Sequence, residues 1–130
     1  MGNYLKHCKK KMERQGERCT LTGRYDSYSL DPVHIIRRSY SQKLKDDPRN
    51  IIPGSRFYHT VFDNGRCKTD MGDTYTMKHL LEDHFWRVRA VLHRMRDMDL
   101  YYFRRFCRNN RLEYDENDNI VKPKRMNKCK

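Results

Sequence analysis

The chain has 130 residues, enough for one modest domain, and its 36% hydrophobic against 35% charged residues leave material for only a small core, which excludes a large, well-packed enzyme. Its 29 Lys and Arg against 17 Asp and Glu give a net charge of +12, a balance that favours a polyanionic partner, nucleic acid before any other. No apolar run approaches the roughly 18 residues of a membrane span, and the opening MGNYLKHCKKKMERQ lacks the apolar segment of a signal peptide, so a cytoplasmic protein without membrane contact is expected.

In chain order, residues 1–18 read as a basic lead-in helix, with Leu5, Cys8 and Met12 at helical spacing. Residues 19–65 are rich in turn signals at Gly23, Pro32, Asp46-Asp47-Pro48 and Pro53-Gly54, which separate short apolar runs at Val33 to Ile36 and Ile51-Ile52; strand, loop, strand, helix is the predicted order. Ser55 is a suitable N-cap for that helix and Gly65 a suitable left-handed stop. Residues 66–112 form the predicted C-terminal helical region. Met77, Leu80, Leu81, Phe85, Val88, Val91, Leu92 and Met95 predict one amphipathic helix over residues 76–97, and Leu100, Phe103 and Phe106-Cys107 a second. Residues 113–130 read as a polar, basic tail, with a small hairpin around Asp115 to Asp118 and the flexible end KPKRMNKCK.

The five cysteines, Cys8, Cys19, Cys67, Cys107 and Cys129, form no CxxC pair, and their odd number points to reduced thiols. Thr22 stands where a second thiolate would follow Cys19, so a structural zinc site is not expected. His79, His84 and His93 read as helix-surface histidines. The many arginines of the C-terminal helices read as a general DNA-facing surface, and Trp86, Tyr101 and Tyr102 as core or rim aromatics before base-stacking ones.

The chemistry concentrates between residues 31 and 63. His34 sits among β-branched neighbours on a strand, with its side chain on the face opposite to theirs, and imidazole is the natural base near neutral pH. His59 and Asp63 are four residues apart, about 6 Å along a helix axis and on one face, which is a metal-ligand spacing. Either feature alone is as well explained by a half-buried strand histidine and a solvated helix pair.

The ordered set CTLTG, DPVHII, DDPRNIIP and RFYHTVFDNG resembles the HNH motif of the ββα-metal nucleases, over residues 19–65. The resemblance implies an α+β protein in which a small ββα-metal core carries additional C-terminal helices. It matches His34 to the family's general base, Asn50 to the asparagine that braces the hairpin loop, and His59 to a metal ligand, with Asp63 where many members have a further one. Val33 occupies the position before the base, where the family usually has Asp or His. The form Asp-Pro-x-His resembles a phage-type variant, and Asp31 is then the expected extra ligand; its other reading is an Asx-type turn acceptor before Pro32.

The implied activity is metal-dependent hydrolysis of DNA phosphodiester bonds, leaving 5′-phosphate and 3′-hydroxyl ends, by a monomer or homodimer with one divalent ion. Mg²⁺ suits this oxygen-rich, well-hydrated set, with Mn²⁺, Ni²⁺ or Zn²⁺ as alternatives. Arg37, Arg38, Lys43, Lys45, Arg49 and Arg56 cluster in or beside the loop between the strands and are the expected phosphate contacts, or else a solvated charged loop. The runner-up is a nucleic-acid-binding module on a degenerate HNH fold, without catalysis. A ribosome-like RNA-binding protein would explain the charge but not the order of His34, Asn50, His59 and Asp63.

Overall fold

The computed structural model describes residues 18–25 and 30–124. The lead-in helix expected over residues 1–18 lies outside the described residues but for Arg18, and so does the end of the basic tail from residue 125. The described chain is mixed α+β, with two small antiparallel sheets and four helices. It divides into two compact units, residues 1–59 and 60–130.

In the first unit, β1 (Leu30–His34) pairs antiparallel with β2 (Ile51–Ser55), Leu30 facing Ser55 and His34 facing Ile51. Pro32 faces Pro53. Neither proline has an N–H, so this must be a non-hydrogen-bonded pair of the ladder, and the bonded pairs fall at Asp31–Gly54 and Val33–Ile52. Gly54 is required by close approach, because a Cβ there would stand 2.7 Å from the Val33 Cγ2. Between the strands, Pro48–Asn50 form one 3₁₀ turn, capped by the Asp47 carboxylate accepting from the Arg49 N–H at 2.9 Å. The turn around residues 19–24 closes through Cys19 N–H to the Arg24 carbonyl at 2.8 Å and docks on β2 through Thr20 N–H to the Pro53 carbonyl at 2.8 Å. Cys19, Leu21, Val33, Ile35, Ile36, Ile51 and Ile52 form this unit's core. Cys19 packs as a small buried side chain. Burial pushes its thiol pKa up, and hydrogen bonds with Ser55 and Thr22 together outweigh that, so the net shift is downward.

Helix α1 (Arg56–Asn64) follows β2 without a connecting loop and stops at Gly65, whose φ of +83° is the left-handed residue expected there. The unit boundary falls within this helix. In the second unit, Phe62 meets Phe106 with ring centroids 5.2 Å apart, and the Gly65 carbonyl accepts from the Met77 N–H at 3.0 Å.

Three expectations for this region are corrected. Residues 66–76 are not helical: β3 (Arg66–Lys68) and β4 (Thr74–Thr76) form a hairpin, closed where Gly72 takes φ +86° and the Thr69 N–H reaches the Asp73 carbonyl at 2.8 Å. The single helix expected over 76–97 is two, α2 (Met77–Asp83) and α3 (Phe85–Met98), because His84 leaves helical geometry at φ −133°, ψ 50° while its N–H still closes α2 and its carbonyl opens α3. The small hairpin expected around Asp115 to Asp118 is present, but residues 113–121 are anchored and not part of a tail. Tyr114 bridges to Ile120, Asp115 accepts from the N–H groups of Asn117 and Asn119 at 2.9 and 3.0 Å, and Leu112 and Ile120 are buried. Arg96 donates to the Asp118 carbonyl and to Asn119 Oδ1, and Arg104 makes a two-pronged pair with the Asp118 carboxylate at 2.8 and 2.9 Å, so two of the arginines expected to face DNA hold this turn.

Much of the second unit's core is the predicted one, although Phe85 and Phe106 are only half-buried and Leu100 is exposed. Val88, Val91, Leu92 and Met95 line the buried stripe of α3, and Phe103 and Cys107 that of α4 (Leu100–Asn109), with Met77, Leu80 and Leu81 beside them. Burial pushes the Cys107 thiol up to about 12, so it is an inert thiol at neutral pH. Two histidines expected on the surface are instead tied in. His79 completes a capping box, its Nδ1 accepting from the Thr76 N–H at 3.1 Å, and His93 Nε2 accepts from the Ile120 N–H at 3.0 Å. Trp86 and Tyr101, expected in core or rim, are 74% and 63% exposed. Among the described residues, no helix is long and apolar enough to cross a membrane.

Candidate active site

His34 ends β1 with its side chain half-buried while Val33 and Ile35 on either side are fully buried, as strand alternation requires. Its Nε2 lies 2.9 Å from the carbonyl oxygen of Lys45 in the loop between the strands. A carbonyl only accepts, so Nε2 carries a proton, and whenever the ring is neutral Nδ1 is the nitrogen with the lone pair. The contact therefore selects which tautomer the neutral imidazole takes and fixes the ring plane.

The loop that supplies this carbonyl is held by Asn50, which is fully buried. Its Oδ1 accepts from the Ile36 N–H at 2.7 Å, and its Nδ2 donates to the carbonyls of Ile36 at 2.9 Å and Leu44 at 3.1 Å. Its own carbonyl accepts from the Ile35 N–H at 2.8 Å. One amide thus ties the start of the loop to the residue just before Lys45. The steps from Asn50 to Leu44, along the chain to Lys45, and from Lys45 to His34 connect a buried brace to the imidazole.

Asp31 and His59 come together from β1 and the first turn of α1, with Asp31 Oδ2 and His59 Nδ1 3.1 Å apart and their side chains 21% and 27% exposed. As it stands the contact is a hydrogen bond that orients the imidazole. The same separation suits two adjacent ligands of one ion, since metal–ligand bonds of about 2.1 Å at right angles place donors about 3 Å apart. A carboxylate and an imidazole are also a suitable donor pair for a divalent ion. Asp63 is half-buried one turn beyond His59 on α1 and falls in the second unit. Among the described residues no three His, Cys, Asp or Glu side chains converge as one metal-holding group.

The basic residues are distributed unevenly. Arg37, Arg38 and Lys43 are exposed and Lys45 is half-buried. Arg49 is held by the Asp47 carboxylate at 2.7 Å, and Arg56 reaches Asp31 at 3.5 Å, both with about three quarters of the side chain exposed to solvent (73% and 74%). Sequence reasoning did not find these two ion pairs, nor the Lys45 carbonyl as the partner of His34; the Asp47-x-Arg49 spacing was the one available signal.

No family model, curated protein or solved structure matches the chain.

Proposed function

We propose that the chain is a metal-dependent DNA endonuclease of the HNH type, with His34 as general base. The observation that carries this reading is the arrangement around His34: a strand-end imidazole, set as its Nδ1-basic tautomer by a main-chain carbonyl, in a loop braced by the buried Asn50, immediately ahead of a strand and a helix bearing His59. An ordinary half-buried histidine needs no such brace.

In this mechanism His34 Nδ1 takes the proton of the attacking water, and the Lys45 carbonyl stabilises the imidazolium that results through the Nε2–H. Asn50 does no proton chemistry and acts by holding the loop. Asp31 and His59 would hold the divalent ion, Mg²⁺ or a related cation, with Asp63 as the further ligand that the resemblance implies. Such an ion, when bound, supplies positive charge where the phosphate and the leaving 3′ oxygen become more negative. Arg37, Arg38 and Lys43, exposed beside the site, would contact flanking phosphates.

The test is incubation of the purified protein with supercoiled plasmid and Mg²⁺, Mn²⁺ or Ni²⁺, with and without EDTA, beside His34→Ala. Metal-dependent nicking or linearisation that is lost in His34→Ala supports the proposal. Binding of DNA with no cleavage under any metal replaces it by the non-catalytic nucleic-acid-binding module.

A further inference from the structure

Helix α4 has a solvent face that the candidate site does not use. Tyr101, Arg104, Arg105 and Arg108 fall at i, i+3, i+4 and i+7 and are all exposed, opposite the buried Phe103 and Cys107. The helix LYYFRRFCRN contains no acidic residue. Arg104 is neutralised by Asp118, but among the described residues no ion pair joins Arg105, Arg108 or Arg111 to a carboxylate. Arg111, two residues past the helix end, is exposed as well.

This pattern is not explained by stability. Like charges three and four residues apart on a helix repel by a few tenths of a kcal/mol each, and Arg105 and Arg108 are only about 4.5 Å apart along the axis. Arg108 in the last turn complements the helix dipole, which accounts for one arginine and not for a row. What relieves a row of guanidinium forks beside a tyrosine hydroxyl is a row of phosphates, since both groups donate hydrogen bonds to phosphate oxygens. An anionic membrane would need an apolar face next to the charges, and this face offers only Tyr101 and the partly exposed Leu100.

We infer that the outer face of α4 is a second DNA contact, on the second unit, in which Tyr101, Arg105, Arg108 and Arg111 bind the backbone of duplex DNA. The inference rests on the reading of DNA as the partner. The face adds affinity and takes no part in the chemistry at His34.

The experiment measures binding in EDTA by fluorescence anisotropy of a labelled random-sequence duplex across a salt series. It compares the wild type, Arg105→Gln/Arg108→Gln and Arg37→Gln/Arg38→Gln, with circular dichroism to verify folding. Two lost phosphate contacts should make the log–log salt slope shallower by about 1.8 in the α4 variant, and binding should weaken equally for unrelated sequences. Plasmid cleavage at saturating DNA should be unchanged in that variant. Arg108→Gln alone, with half the slope change, serves if the double variant misfolds. An unchanged slope overturns the inference while leaving cleavage, and so the nuclease reading, intact. A reduced slope in a chain that shows no cleavage with any of the metals keeps the inference and sinks the nuclease. Loss of binding to vesicles of anionic lipid, with DNA binding unchanged, overturns it in favour of a membrane surface.

Discussion

The brace at Asn50 gives the sharpest quantitative test. Asn50→Ala removes three hydrogen bonds at once and leaves the buried Ile36 N–H and carbonyl and the Leu44 carbonyl without that partner. Each orphaned buried group costs about 1–3 kcal/mol. The three groups share one partner side chain, so their costs are coupled, the sum is less than additive and about 3–5 kcal/mol is expected. Against a total stability of roughly 5–15 kcal/mol for a domain, that is a large share. Asn50→Asp should be no milder, because it keeps the acceptor for Ile36 N–H but turns a carboxylate oxygen toward two carbonyl oxygens. The assay is urea denaturation of both variants, read as a change in midpoint at constant slope, followed by cleavage rates under conditions where each variant is still folded. A loss below about 1 kcal/mol would refute the accounting, since it would mean that the loop does not depend on this amide. Loss of stability with a normal rate per folded molecule, and a normal acid limb in the pH profile, would refute the idea that Asn50 positions His34 through Leu44 and Lys45.

His34→Ala should lower the cleavage rate by roughly two to four orders of magnitude with DNA affinity nearly unchanged, and the wild-type rate should fall on the acid side as the imidazole protonates; equal loss of rate and affinity would remove His34 from the role of base. His59→Ala and Asp63→Ala should each weaken Mn²⁺ binding in calorimetry, and Asp31→Ala decides the part played by the Asp31–His59 contact. Metal affinity and rate intact in Asp31→Ala would leave Asp31 as a turn residue, whereas a fall of about 10- to 100-fold would be that of a ligand or of the group that orients one. In the second unit, burial first, then the charges of Arg96 and Arg89, hold the His93 pKa below its ordinary value, and the neutral ring accepts the Ile120 N–H. The unfolded chain then binds the proton more readily, so this contribution is fully present above about pH 6.5 and is lost as pH falls through the lower folded value. His93→Gln keeps an acceptor without titrating, so its melting temperature should drop less than that of the wild type between about pH 7.5 and pH 5.5; equal drops would discount the effect.

How much was legible depends on where the information resides. The order β1, loop, β2, α1 could be read because each element carries its own punctuation: paired prolines that tolerate only one kind of ladder position, and Gly65, whose positive φ ends the helix. The β3–β4 hairpin could not. Its strands are three residues long, Arg66 and Lys68 face solvent, and the apolar alternation that marks a strand has no room to develop. Its one signal was turn chemistry, Gly72 after Asp70 and Met71. The break at His84 has neither Gly nor Pro, and apolar residues at helical spacing continue across it from Leu80 and Leu81 to Val88, so periodicity alone reads straight through. The turn at Asp115 to Asp118 could be read from its Asp and Asn residues, but its anchoring was hidden by composition, since only two apolar residues, Leu112 and Ile120, secure a stretch that otherwise reads as tail.

The same contrast separates the parts of the candidate site. Side chains whose role depends on residue type and order, His34, Asn50 and His59, stand out in a sequence, because few other arrangements use them in that sequence of strand, turn and helix. The partner that fixes the tautomer of His34 is a main-chain carbonyl, and every residue has one, so nothing about Lys45 as a residue type announces it. Replacing Lys45 by Gln should therefore leave the orientation of His34 intact, whereas a change that shifts the backbone of the loop, such as the loss of the Asn50 bond to Leu44, should disturb it. The lysine side chain and the lysine carbonyl answer to different tests. The first belongs with the salt dependence of DNA binding, and the second with the pH dependence of cleavage.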